Sequence, residues 1–208
     1  MNASDPKTRL RPANGKPRRG RPRDAGIDDA ALRAAHEEFV RHGYHALSME
    51  RIAARAGVSK VSLYRRWKNK ADVIGEVFRR MGSQQAVQSS GDLASFLREL
   101  FSLSMSSADA RRQGRVVMRT MGEIADNPEL LALYRKHLLE PRMDQLRQVI
   151  DGARERGEVT SRAPTDVICA LVAGPLFLFY LTLLVRLDIR FEEDPADQLV
   201  SLILRSLQ

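Results

Sequence analysis

Between Ser59 and Lys70 the chain reads SKVSLYRRWKNK, and its side chains divide by chemistry. Ser59, Ser62 and Tyr64 carry hydroxyls, Lys60, Arg65, Lys68 and Lys70 carry cations, and Val61 carries a small branched apolar group. Hydroxyls and long cations suit phosphate oxygens, a hydroxyl can also bond a base edge, and a small apolar group fits a thymine methyl. Covalent chemistry finds less support. His36, His42, His45 and His137 lack metal-ligand spacing with Cys169, the chain has no phosphate-cradling glycine loop, and no nucleophile has an identifiable base. The expectation is a binding protein rather than an enzyme, with no metal and no cofactor.

The elements that must position these groups are short. On a helical wheel Leu63 and Trp67 share one side and form the buried anchor, Val61, Arg65 and Lys68 point away, and Ser62 and Tyr64 flank them. Ser59 is placed to cap this helix. Gly57 ends the preceding one, SMERIAARA, which Ser48 caps and whose Met49, Ile52, Ala53 and Ala56 share a face. Two short helices separated by so few residues must turn sharply, which is helix-turn-helix spacing. The exposed N-terminal half of the second fits a DNA major groove about 12 Å wide. The competing reading of the same residues is a solvated charged face.

Around this pair the pattern stays helical. Ile27 and Leu32 fit a hydrophobic staple about an Asp28 N-cap, Leu32, Ala35, Phe39 and Val40 recur at helical spacing, and Gly43 closes that helix. A fourth helix starts at Lys70 with Val73, Ile74, Val77 and Phe78 inward, so that the Lys70 side chain and local N–H groups can meet a phosphate together. After a polar stretch from Gly82 to Gly91, helices are expected near Asp92 to Ser106, Ala110 to Ala125, Pro128 to Arg156, Thr165 to Leu187 and Pro195 to Leu207, with a kink at Pro141. The fold class is all-α, about nine helices: a flexible basic arm over 1–26, a DNA-binding domain with its linking helix over 27–82, and a helical ligand-binding and dimerisation domain over 83–208.

The stretch FVRHGYHALSMERIAARAGVSKVSLYRRWKNKADVI resembles the TetR family of bacterial transcriptional regulators, over Ile27 to about Met81. The GPLF in the apolar penultimate helix is similar to one C-terminal subtype of that family. The resemblance implies that the third helix reads the major groove, that Tyr64 and Lys70 hold phosphates, and that the remaining helices bind a small effector and a second subunit. Val61 departs from the Gly or Pro common at its position, leaving base preference there open.

Charge separates the front of the chain from the back. The net charge is +8, yet residues 1–26 hold 8 basic and 2 acidic residues while 83–208 hold 15 and 17. Such asymmetry points the front at a polyanion, nucleic acid or membrane surface. Within the arm, PRRGRPR resembles the Arg-Gly-Arg-Pro core of AT-hooks, which places Arg19 and Arg21 in an A·T minor groove, with loose phosphate attraction as the alternative. The DNA-facing set is then Arg19, Arg21, Ser48, Ser59, Lys60, Val61, Ser62, Tyr64, Arg65, Lys68 and Lys70. The N-terminus has no apolar core or cleavage site, and the single Cys169 excludes a disulfide framework. Cytoplasm is the expected compartment.

In the back half, Phe101, Met105, Met118, Met121, Tyr134, Phe177 and Tyr180 are candidate walls of an effector cavity, their mix suiting an apolar or aromatic ligand. Val167 to Val185 is 19 residues without a charge, long enough to span a membrane. Gly174-Pro175 at its middle and amphipathic neighbours favour a soluble reading, in which its own domain buries one side and a second subunit the other. Leu176, Phe179, Leu183, Leu199 and Ile203 are the expected dimer contacts. The function expected is a ligand-responsive regulator, a repressor, bound to a palindromic double-stranded operator as a homodimer and released by a small effector. An architectural DNA-binding protein without effector and a membrane-associated regulator are the alternatives.

Overall fold

The computed structural model describes residues 25–84, 91–106, 108–185 and 195–208. Arg19 and Arg21 lie outside them, as does most of the stretch between Gly82 and Gly91. All the regular structure described is helical: α1 (Ala25–Ala46), α2 (Met49–Ala56), α3 (Lys60–Tyr64), α4 (Lys70–Gln84), α5 (Leu93–Ser106), α6 (Ala108–Met121), α7 (Pro128–Tyr134), a π-helical segment (Arg135–Leu139), α8 (Glu140–Glu155), α9 (Thr165–Val185) and α10 (Pro195–Ser206). Because α7, the π segment and α8 run on without a break, these amount to nine helices among the described residues.

Caps set the front elements as the sequence indicates. Ser48 Oγ accepts from Arg51 N at 3.2 Å, Gly57 ends α2 in the left-handed region at φ 67°, and Ser59 Oγ accepts from Ser62 N at 3.1 Å. The start of α1 differs from expectation. It begins at Ala25, placing Asp28 inside the first turn rather than at the cap, and the Asp28 carboxylate instead accepts from the Arg66 guanidinium after α3. Gly43 interrupts α1 as expected, but helical pairing resumes and carries the element to Ala46.

Two hydrophobic cores result. In one, Phe39, Ile52, Leu63, Ile74 and Phe78 from α1–α4 pack with Val116, Leu130, Tyr134, Leu138 and Tyr180 from the helices behind. Phe78 is at its centre, edge-on to Phe39 at 6.2 Å and to Tyr134 at 5.6 Å between ring centroids. The other packs Leu93, Leu97 and Phe101 of α5 with Ile150, Val172, Val200 and Ile203. Fully burying each such side chain contributes about 1.5–3 kcal/mol. Helices α1–α4 therefore share their interior with α6 and α7.

At the expected kink, Pro141, the helix carries a π segment just before the proline. Proline has no N–H for the residue four back, and its ring crowds that carbonyl, here His137. The chain widens one turn earlier instead, the Glu140 N–H bonding to Arg135 O five residues back. The widened turn lies on α4, where a Cβ at Gly75 would come 3.2 Å from His137 Cδ2 and one at Gly82 3.6 Å from His137 O.

Candidate DNA interface and effector cavity

The α2–α3 pair presents its polar groups as the wheel places them. Leu63 is fully buried and Trp67 half-buried, whereas Ser59, Lys60, Tyr64, Arg65 and Lys68 are exposed and Ser62 is half-exposed. Val61 is 71% exposed, an apolar group held out in water. Ser62 Oγ accepts from Ser59 Oγ at 2.9 Å, and Lys60 lies 3.6 Å from Glu50. Arg66, beside the exposed Arg65, turns inward to Asp28 and to Ser62 O at 3.2 Å, tying α3 to α1. Ser48 is half-buried at its cap.

Lys70 shows a contact that sequence reasoning missed. Its Nζ donates to Tyr44 O at 2.8 Å and sits 4.5 Å over the Tyr44 ring, so it closes the end of α1 as well as the start of α4. Tyr44 is the pin of this junction. Its N–H donates to Glu123 Oε2 at 2.8 Å and its hydroxyl to Glu129 Oε2 at 2.7 Å, the first carboxylate just after α6 and the second in α7. Burial and the Glu129 charge push the phenol pKa up, so it stays a donor. Gly43 permits this closeness, since any Cβ there would fall 2.2 Å from Glu123 Oε1. The Gly-Tyr pair was visible in the sequence, but its acidic partners are about 80 residues away and no local pattern points to them.

Behind this junction α5, α6, α7, the π segment, α8 and α9 line a partly open cavity of about 250 Å³. Three of the seven expected wall residues, Tyr134, Phe177 and Tyr180, line it. The other four sit elsewhere. Phe101 is fully buried in the second core and Met105 packs on that core. Met118 faces a crevice between α1 and α6 beside His42 and His45, and Met121 packs on the first core. Walls that went unnoticed include Phe96, Leu100, Val117, Leu139 and Leu146, with Ser104, Gln145 and Arg142 as polar groups. For Arg142 a signal existed: it occupies the apolar stripe Leu138, Arg142, Leu146, Ile150 of a helix whose other long charged groups face out.

The dimer set divides as well. Ile203 is 3% exposed inside its own chain's core, and Leu176 is half-buried where it lines the cavity. Phe179 is half-buried against Tyr180, Leu199 is half-buried on the second core, and the Leu183 side chain lies outside the described residues. The exposed face of α9 is a different stripe, Val167, Leu171, Leu178 and Val185, with Leu202 of α10 58% exposed. Cys169 is buried, as expected. Thr165–Thr182, mean hydropathy 1.8, is long and apolar enough to cross a membrane by composition, and 28% of it is buried in this fold.

An exposed helix-turn-helix on an all-helical body with a partly open apolar cavity is the architecture of a DNA-binding transcriptional regulator, and the family matches agree. Residues 31–77 match the family model for bacterial regulatory proteins of the tetR family, and residues 87–203 match the tetracyclin repressor-like C-terminal domain. The chain belongs to the TetR family, a family of non-enzymatic transcription regulators. It is similar to the uncharacterised HTH-type transcriptional regulator YdeS of Bacillus subtilis, 30% identical over 162 residues that cover 77% of this chain and 81% of YdeS. It is also similar to the transcriptional activator FasR of Mycolicibacterium smegmatis, 38% identical over 98 residues, 44% of each chain. The solved structure of the fatty acid degradation regulator FadR from Bacillus halodurans shares the fold, with a TM-score of 0.68 at 20% identity, covering 87% of this chain and 94% of that one.

Proposed function

We propose that this regulator is a homodimeric repressor that binds a palindromic operator in the cytoplasm and is released by a small, largely apolar effector held in the cavity. The observation that carries this reading is the seat of the π segment. One side of it, through Leu139, lines the cavity, and the other rests on Gly75 and Gly82 of α4, the helix that begins with Lys70 beside α3. An occupant that moves Leu139 moves the support of α4, which is the connection a purely architectural DNA-binding protein does not need.

Arg65, Lys68, Tyr64 and Lys70 take phosphates in this reading, while Val61, Ser62 and Lys60 meet base edges. Arg19 and Arg21 enter the adjacent minor groove. The stripe Val167, Leu171, Leu178 and Val185, with Leu202, supports pairing of α9 and α10 across a two-fold axis. A second copy covers that face better than lipid does, because the opposite face of α9 already belongs to the core that holds Ile168 and Val172.

Selection of bound fragments from the source genome, followed by footprinting, tests the reading. A symmetric footprint with half-sites one helical turn apart, or a multiple of that, is expected. Leu178→Asp should give monomers in sedimentation and lower operator affinity by at least about 100-fold. A Leu178→Asp protein that stays dimeric places the interface elsewhere.

A further inference from the structure

We propose that Tyr44 is a positioning residue of the DNA interface: its carbonyl and ring hold the Lys70 ammonium ready for a DNA phosphate, and the carboxylates of Glu123 and Glu129 fix Tyr44 in turn. This rests on reading Lys70 as a phosphate contact. Lys70 Nζ donates to Tyr44 O at 2.8 Å and to His45 O at 3.4 Å, and stands 4.5 Å over the Tyr44 ring. An ammonium carries three N–H donors, so two serve the last carbonyls of α1 and the third is left for an outside oxygen. The bond to His45 O is exposed, which opens the ammonium on that side.

What holds Lys70 differs from what holds the cations around it. Arg66 is paired with Asp28, Arg55 with Glu37 and Glu38, and Lys60 with Glu50 at 3.6 Å. A carboxylate that orients a cation also cancels part of the field it presents to a phosphate. Among the described residues Lys70 has no carboxylate partner, and Asp72, two residues on, is turned to the Lys68 N–H at 2.9 Å. Carbonyl oxygens and a ring face carry no net charge, so the unit charge of Lys70 is left for the DNA. A free lysine side chain must give up its rotamer freedom on binding, whereas one already held has given it up on folding.

Tyr44 can hold Lys70 only because it is itself held. It is buried, with its N–H on Glu123 Oε2 and its hydroxyl on Glu129 Oε2. Burial and then the hydrogen bond to Glu129 push the phenol pKa up, so the hydroxyl remains a donor. Glu123 follows α6 and Glu129 belongs to α7, two of the elements that line the cavity. The group that orients the phosphate ligand is thereby anchored to the helices of the back half through α1, a tie separate from the seat of the π segment on α4.

The test is a double-mutant cycle on the full chain, read by binding to a mixed-sequence DNA duplex of about 30 base pairs across a salt series. Lys70→Ala should weaken binding about 30-fold and reduce the log–log salt slope by about 0.9, the share of one phosphate. Tyr44→Leu keeps the backbone carbonyl but removes the ring and the tie to Glu129. It should weaken binding about tenfold with Lys70 intact and less than about twofold in the Lys70→Ala background. Tyr44→Phe, which keeps the ring, should recover most of the loss. An equal loss in both backgrounds makes Tyr44 a structural residue alone and overturns the proposal, leaving Lys70 as a phosphate contact. An unchanged slope in Lys70→Ala overturns the phosphate reading, and the proposal with it. Since Tyr44→Leu risks misfolding, the wild-type protein with isotope-labelled lysine decides independently. The Lys70 ε-methylene resonance, assigned by its loss in Lys70→Ala, should lie upfield of the other lysines before DNA is added, in the ring current of Tyr44. A Lys70 resonance at the position of the others means that the ammonium is not held in the free protein, which also overturns the proposal.

Discussion

The α2–α3 surface and the cavity behind it are built on opposite principles. On the DNA side each functional group stands where local geometry puts it: two serine caps, a left-handed Gly57, and a five-residue helix whose outward positions follow from one buried Leu63. The cavity is assembled from side chains on six elements spread between Phe96 and Tyr180, and no short stretch of sequence contains more than a fragment of it. A surface made locally can change its contacts residue by residue. A cavity made from distant helices depends on how those helices pack together, which is what the proposed effector role requires.

The sharpest way to break this contrast is at the seam joining the two regions. Gly43→Val introduces a Cβ at φ 78° and 2.2 Å from Glu123 Oε1, displacing the carboxylate that holds the Tyr44 N–H. A loss of about 3 kcal/mol is expected, from backbone strain and a broken, partly buried hydrogen bond together. Urea denaturation measures it, and a loss below about 1 kcal/mol means the seam is not structural.

Acid should loosen the same seam through His36, on the α1 face toward Arg112 and Arg115. Burial, then the Arg112 charge, lowers its pKa from 6.5 to about 4. The unfolded ring takes a proton near pH 6.5 and the folded ring only near pH 4, so protons favour the unfolded chain between those values. Stability present at neutral pH therefore falls as the pH drops through that window and levels off below it, by about 3 kcal/mol at most. The difference between wild type and His36→Gln across pH 7 to 4 isolates the effect, and parallel curves for the two proteins exclude it.

On the DNA side the two kinds of contact should separate. Lys70→Ala removes the proposed phosphate contact and the group that bonds Tyr44 O, so about 2 kcal/mol should be lost on every DNA sequence alike. Val61→Ala removes only apolar surface, and about 1 kcal/mol should be lost at a few base positions. Binding to randomised operators distinguishes them. A change of base preference in Lys70→Ala reverses the assignment.

Legibility in the sequence follows the same divide. The helix-turn-helix, its caps, the inward Leu63 and the outward Val61 were readable because periodicity and cap chemistry act over a few residues. Asp28 was misplaced as a cap, since its tie to Arg66 spans 38 residues. The composition of Phe101, Met105, Met118 and Met121 suited a pocket, but an apolar helix face looks the same whether it meets a cavity or a core. Ile203 and Leu178 are similarly alike in type, and only tertiary packing separates the buried one from the exposed one. Arg142 was legible in principle as a charge on an apolar stripe.

The finest test concerns the contact that joins the two regions, and it should scarcely alter stability. Gly75→Ala gains about 1 kcal/mol of helix propensity. It also sets a methyl 3.2 Å from His137 Cδ2, which must give by a few tenths of an ångström. These effects oppose, so Tm should move little, while the π segment is lifted from α4. Operator affinity without effector should stay within about twofold. An effector that passes from the cavity through Leu139 to α4 should then lose part of its grip on DNA release. Trp67, the single tryptophan, lies half-buried on the core that holds Val73 and Ile74, so its emission reports the state of α4. In wild type the emission should shift over the concentrations of effector that release operator, and in Gly75→Ala the shift should shrink. A full shift and full release in both Gly75→Ala and the bulkier Gly75→Leu, with cavity binding intact, would take the π segment out of the signal path and leave rigid rotation of the DNA-binding helices as the route.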